Sequence, residues 1–195
     1  MRPRRRKRPS WDVAPPTFTF TAEERDSLAQ GGVVHRAEQG EAGSAGISVC
    51  LADAPPQRVW ATITDFDAYV DFLPYVTASW LETAGAPVDG VAVWRWGMEL
   101  TTKGVVTRYA VESRLRQAEG YMTWEMVPRG TSPMARATGF WQTRPWADAP
   151  QRTLVLYGAS VETAWWLPSP IHRKAADRGL PTMVTLIAAR AAGAG

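Results

Sequence analysis

The chain has 195 residues, 45% of them apolar, which is room for one domain with a sizeable core and ordinary for a globular protein. A single cysteine, Cys50, excludes an internal disulfide and any multi-cysteine zinc site, and two distant histidines, His35 and His172, have no metal-ligand spacing, so neither metal nor cofactor is expected. The formal charge of +3 is set by the first residues: without Arg2, Arg4, Arg5, Arg6, Lys7 and Arg8, 16 basic residues face 19 acidic ones, and the body is mildly acidic.

Residues 1–20 hold that charge run together with Pro3, Pro9, Pro15 and Pro16, and read as a disordered leader. Such a tail can make weak contact with anionic lipid or nucleic acid, although runs of this kind are generally solvated. No apolar h-region follows the paired arginines, which argues against a secretory or twin-arginine signal. No run of 18 apolar residues exists, so no membrane span is expected, and the lone cysteine fits a cytoplasmic location. Residues 21–32 read as a short helix, with Thr21 as cap, Glu24 completing a capping box and Gly31 as the stop. The domain proper is expected over 33–195.

"VVHRAEQGEAGSAGISVCLADA" reads as a strand pair or one interrupted strand, with Ile47, Val49 and Leu51 alternating against Ser48 and Cys50. Asp53 before "APPQRVWATI" predicts a capped helix carrying Val59, Trp60 and Ile63 on one face. "DFDAYVDFLP" continues as a second short helix. Phe66, Tyr69 and Phe72 recur every third residue, with Leu73 beside them, and Pro74 ends the element. Asp67 and Asp71 share the face those rings leave free. A general acid/base pair needs a water-poor setting, so Asp65, Asp67 and Asp71 are read as capping and solvated groups.

From Thr77 the hydrophobic period becomes two. Val76, Ala78 and Trp80 are expected on one face; Trp94, Trp96, Met98 and Leu100 on one face against Arg95, Gly97 and Glu99; Val105, Thr107, Tyr109, Val111 and Leu115 opposite Arg108, Glu112, Arg114 and Arg116. Met122, Trp124 and Met126 alternate with Tyr121, Thr123 and Glu125, and two further runs contain Trp141 and Tyr157. The turn signals between runs suit antiparallel hairpins. After "WWLPSP" helical spacing returns, with Leu180, Val184, Ile187 and Ala191 on one stripe, and with Gly179 and Pro181 predicting a kink or a two-piece helix.

The fold class is therefore α+β: a curved antiparallel sheet of about seven strands, two short helices after the first strand, and a long C-terminal helix over the concave face. Such a sheet leaves a cavity at the helix–sheet junction. Ten tryptophans in so short a chain suggest that something apolar and roomy is lined. The expected lining is Trp94, Trp96, Met98, Tyr109, Met122, Trp124, Met126, Trp141 and Tyr157 from the strands, with Met183 and Ile187 as roof. Phe66, Tyr69, Phe72 and Leu73 belong to a helical lid at its mouth.

Ala54-Pro55, Val59-Trp60, Asp65-Phe66 and Phe72-Leu73-Pro74, together with the terminal "LPSPIHRKAADRGLPTMVTLIAARA", resemble the START-like helix-grip superfamily, in particular its bacterial polyketide cyclase/dehydrase and coenzyme Q-binding branch. The resemblance covers about residues 33–192. It implies the helix-grip fold and a hydrophobic small molecule, namely a lipid, quinone or polyketide, as the partner. Members of the superfamily include aromatic polyketide cyclases, lipid and quinone carriers and a toxin that binds ribosomal subunits, so carrier, cyclase and interaction module all remain open. A cyclase needs polar groups inside. The alternation sends Glu99, Arg108 and Glu125 outward, which leaves Tyr109 and Tyr157 as catalytic candidates. His172, at the start of the last helix, and His35 read as ordinary surface and strand residues. Cys50 has no histidine partner for nucleophilic work, and "GEAGSAG" lacks the lysine of a phosphate loop.

Overall fold

The computed structural model describes residues 15–40, 43–102, 105–127, 134–163 and 169–193. The basic run at 2–8 and the side chain of His172 lie outside the described residues.

The first helix, α1 (Ala22–Ala29), starts on the expected box: Glu24 N donates to Thr21 Oγ1 at 3.2 Å, and Thr21 N donates to Glu24 Oε2 at 2.9 Å. Gly31 ends the turn at φ +86°, a conformation open to glycine. A hairpin of β1 (Val34–Gly40) and β2 (Gly43–Ala52) follows, settling the strand-pair alternative. Then come α2 (Pro56–Thr64), one 3₁₀ turn at Phe66–Ala68 and α3 (Tyr69–Phe72). The rest of the sheet is β3 (Val76–Ala84), β4 (Ala92–Thr102), β5 (Val105–Arg116), β6 (Tyr121–Val127), β7 (Met134–Trp146) and β8 (Ala149–Thr163), closed by α4 (Ser169–Ala192).

All eight strands form one antiparallel sheet in the order β1-β2-β8-β7-β6-β5-β4-β3. The chain thus runs as a meander from β3 to β8 and closes against the first hairpin. Eight strands, where about seven were expected, follow from the β1–β2 hairpin being two strands.

α4 lies across β2, with β8 and β1 beside it and α2 against its flank. Its stripe Leu180, Val184, Ile187 and Ala191 is buried. The close approach needs small residues beneath. The inner face of β2 offers Gly46, Ser48, Cys50 and Ala52; a Cβ at Gly46 would stand 3.0 Å from Leu180 Cδ1, and Cys50 Sγ lies 3.5 Å from Val184 O. Pro181 sits inside a single helix, so the two-piece alternative does not occur; Thr185 Oγ1 donates to Pro181 O at 2.8 Å.

The outer face carries a second apolar cluster of Val49, Leu51, Tyr121, Phe140, Leu154 and Leu156, covered by Leu28 of α1. Phe18 and Phe20, within the stretch read as leader, pack on it; Phe20 meets Trp146 edge-on at 6.4 Å and the Arg36 guanidinium lies over Phe18 at 4.2 Å.

Two local expectations are corrected. Asp53 does not cap α2, whose N-cap is Pro55; its carboxylate instead pairs with Arg152 at 2.6 Å. A register shift between Val76 and Ala78 puts an extra residue into β3. Val76 therefore shares the inner face with Leu100, whereas Trp80 pairs with Gly97 on the outer face, its ring lying where a glycine Cβ would be.

Candidate functional site

Strand register brings the alternating rings onto one face. Met98 stands opposite Tyr109; Trp96 opposite Val111, which faces Met126; Trp94 opposite Ser113, which faces Trp124; and Met122, Trp141, Tyr157 and Ser48 form one row across four strands. This is the inner face, on the side of α4. Phe66, Tyr69, Leu73, Trp96, Met98, Met122, Trp141, Tyr157 and Ile187 are buried in one contiguous apolar cluster, and Phe72, Trp94, Tyr109, Trp124 and Met183 pack against it half-buried. Met126 is buried on the same face but stands outside that cluster.

The rings form two groups. In the first, Phe66 stacks on Trp96 at 4.5 Å and 4° and meets Trp94 and Tyr69 edge-on at 6.2 and 5.7 Å. Tyr69 meets Trp96 and Phe72 edge-on and its hydroxyl donates to Ile63 O at 2.6 Å, tying the 3₁₀ turn and α3 to the end of α2. In the second, Tyr157 stacks between Trp141 at 4.1 Å and Trp124 at 6.2 Å. Trp124 lies flat over Gly139, whose missing side chain leaves the room: a Cβ there would come within 2.4 Å of the indole.

Polar groups on this face are few. Trp96 Nε1 donates to Ser113 Oγ at 3.0 Å and Trp94 Nε1 to Gly85 O at 3.2 Å, while Trp124 Nε1 is buried with no hydrogen-bond partner among the described residues. Among the described residues neither the Tyr109 nor the Tyr157 hydroxyl has a hydrogen-bond partner. Burial pushes the phenols of Tyr69, Tyr109 and Tyr157 well above the usual tyrosine range, and repulsion from Tyr157 adds to the shift of the other two. All three are neutral at physiological pH, and each hydroxyl keeps a proton to donate. Burial also pushes the Cys50 thiol up to about 12, so it is no nucleophile at neutral pH.

Ser48 and Ser113, both fully buried, are site residues that the sequence reading passed over, as is the contact of His35 Nδ1 with Ser48 Oγ at 2.8 Å. Strand parity carries the signal: each serine alternates with outward residues. The aspartates of the opening helices lie outside the ring groups. Asp67 Oδ1 accepts from Leu81 N at 2.8 Å, pinning the turn to β3, and Asp65 and Asp71 are exposed. Glu99 pairs with Arg108 and Glu125 with Arg136, both on the outer side. A surface cleft of about 190 Å³, lined by Arg58, Thr62, Asp65, Phe72 and Arg190 among others, opens between α2, α3 and the end of α4. Among the described residues no helix is long and apolar enough to cross a membrane.

Comparisons with solved structures agree with this architecture. The chain is similar to the Zhui aromatase/cyclase from a Streptomyces species, at 14% identity and TM-score 0.60 over 82% of this chain and 93% of that one. It is similar to a STAR-related lipid transfer protein fragment from Xanthomonas axonopodis, at 15% identity and TM-score 0.60 with the same coverage. A START superfamily protein from Mycobacterium smegmatis matches at 14% identity and TM-score 0.58, over 84% of this chain and 99% of that one. At such identities the likeness speaks to the fold. No curated protein sequence matches the chain. The family described as polyketide cyclase/dehydrase and lipid transport matches residues 52–187, from the end of β2 to Ile187 of α4. With its helix grip, its ring-lined inner face and more than half of its length in that match, the chain belongs to the polyketide cyclase/dehydrase and lipid transport family.

Proposed function

We propose that the protein binds an apolar or aromatic small molecule, a lipid, quinone or polyketide, between the inner face of the sheet and α4, as a carrier or chaperone. The observation that carries this is the pair of ring groups on one sheet face: Trp96, Trp141 and Tyr157, with Met183 at the edge of the roof, make that face aromatic and apolar, the chemistry a flat apolar ligand packs against. Removing such a ligand from water contributes roughly 25 cal/mol per Å² before the cost of association is subtracted.

An aromatase/cyclase role is the second reading, favoured by the hydroxyls of Tyr109 and Tyr157, which have no hydrogen-bond partner among the described residues. Held neutral by burial, they would donate hydrogen bonds to a ligand carbonyl and polarise it, the work of an oxyanion hole. A base has to come from elsewhere.

Calorimetric titration of the full chain with 2-naphthol separates the readings. One saturable site, weakened at least about tenfold when Met183→Trp fills the roof, supports ligand binding. Absence of saturable binding rejects it. Binding without turnover of a polyketone substrate in the wild type favours the carrier; turnover that a Tyr109→Phe, Tyr157→Phe double variant loses while binding is kept favours the cyclase.

A further inference from the structure

The outer cleft between α2, α3 and the end of α4 plays no part in that reading. Arg58 from the first turn of α2 and Arg190 from the last turn of α4 line it, and neither has an ion-pair partner among the described residues. Eight other arginines do pair with a carboxylate. Two guanidinium groups with no ion pair among the described residues, brought from distant parts of the chain into one concavity, offer paired N–H forks to a planar or tetrahedral oxyanion. Asp65, also on the lining, forms no ion pair with either arginine among the described residues.

The cleft also joins the ring cluster. Phe72 forms part of its wall, with the Arg190 guanidinium over its ring at 5.7 Å, and meets Tyr69 of the inner cluster edge-on at 5.8 Å. A cleft of about 190 Å³ has room for one small oxyanion with part of its hydration shell.

We propose that this cleft binds an oxyanion, a carboxylate or a phosphate, carried by an amphipathic ligand whose apolar part lies against the inner rings. The inference rests on the cavity reading above and narrows its ligand class to anionic amphiphiles. The plainer role for these arginines is to complement the carbonyl end of α4, since Arg58 Nη2 lies 3.2 Å from where a Gly193 Cβ would stand. That role affects stability and leaves ligand preference untouched.

The test titrates the full chain with 2-naphthoate, its neutral methyl ester and inorganic phosphate, in the wild type and in an Arg58→Gln, Arg190→Gln double variant. Two charge-assisted contacts make the acid bind at least about tenfold tighter than the ester in the wild type. The preference should vanish in the double variant with ester affinity unchanged, and Asp65→Asn should strengthen acid binding. Phosphate binding that the double variant abolishes supports a site for the free anion; acid preference without phosphate binding supports a site filled only by a tethered one. Equal affinities in the wild type, or a preference that survives in the double variant, overturn the proposal and leave the cavity reading standing. A lower melting temperature with the preference intact assigns the arginines to the helix end and also overturns it. Failure of both naphthyl probes to bind overturns the cavity reading itself.

Discussion

Replacing Phe66 by leucine tests whether the ring group at the mouth holds the grip together. The ring is 1% exposed, stacks on Trp96 and meets Trp94 and Tyr69 edge-on. Leucine keeps most of the apolar volume, so the transfer loss is small and the change isolates ring geometry. Each aromatic pair contributes ~0.5–1.5 kcal/mol beyond burial, and pairs sharing one ring add incompletely, so a loss of about 2 kcal/mol is expected. At a slope of ~1–3 kcal/mol per molar urea, the unfolding midpoint should fall by about 1 M. Val70→Ala, on the neighbouring turn but 40% exposed, is the control and should stay within ~0.5 kcal/mol. Titration with 2-naphthol reads the same variant for function, and binding should weaken with stability. A Phe66→Leu protein within ~0.5 kcal/mol of wild type would refute the reasoning, because the stacked geometry would then contribute nothing.

Gly139→Ala forces a Cβ to within 2.4 Å of the Trp124 indole and 2.3 Å of Gly158 O; overpacking of ~1–3 kcal/mol and altered tryptophan fluorescence are expected, and an unchanged midpoint would contradict the close approach. Ser113→Ala removes the acceptor of the Trp96 N–H in a buried setting and should cost ~1–3 kcal/mol by urea unfolding, with Ser113→Thr restoring part of it. Raising the pH should unfold the protein in one step. Burial lifts Cys50 from 9.0 to about 12 and lifts Tyr69, Tyr109 and Tyr157 in the same direction. Each folded value exceeds the unfolded one, so the stability is complete below about pH 9 and falls as pH rises through the folded values, by up to ~1.4 kcal/mol per unit for each group. Phenolate absorbance from the buried rings that rises before helical dichroism is lost would contradict this.

Much of the inner face was legible because one rule carried it. Where strands alternate strictly, as at Trp94, Trp96 and Met98 or Met122 and Trp124, period two assigns the face, and antiparallel register then aligns the rows. Trp80 escaped that rule because a bulge reverses parity within β3, and a bulge leaves no mark in an alternating pattern; Gly97, the bare site over which Trp80 lies, was the available hint. The β1–β2 hairpin was ambiguous for a related reason: small residues on the inner side of β2 make room for α4 and so weaken the hydrophobic signal. Asp53 looked like a cap by type and position, yet the guanidinium of Arg152, almost a hundred positions away, takes its carboxylate; tertiary pairing outweighed a local preference. The cleft of Arg58 and Arg190 joins two helices far apart in sequence, and nothing local announces it.

The central claim is that an apolar or aromatic molecule binds between the inner rings and α4. Native mass spectrometry of the protein purified from its source, followed by organic extraction and identification of what is released, tests it most directly. The account expects one stoichiometric lipid, quinone or polyketide, lost in parallel with 2-naphthol binding in the Met183→Trp variant. Protein that is uniformly free of ligand, and that also fails to take up any of these classes when they are supplied, would contradict it.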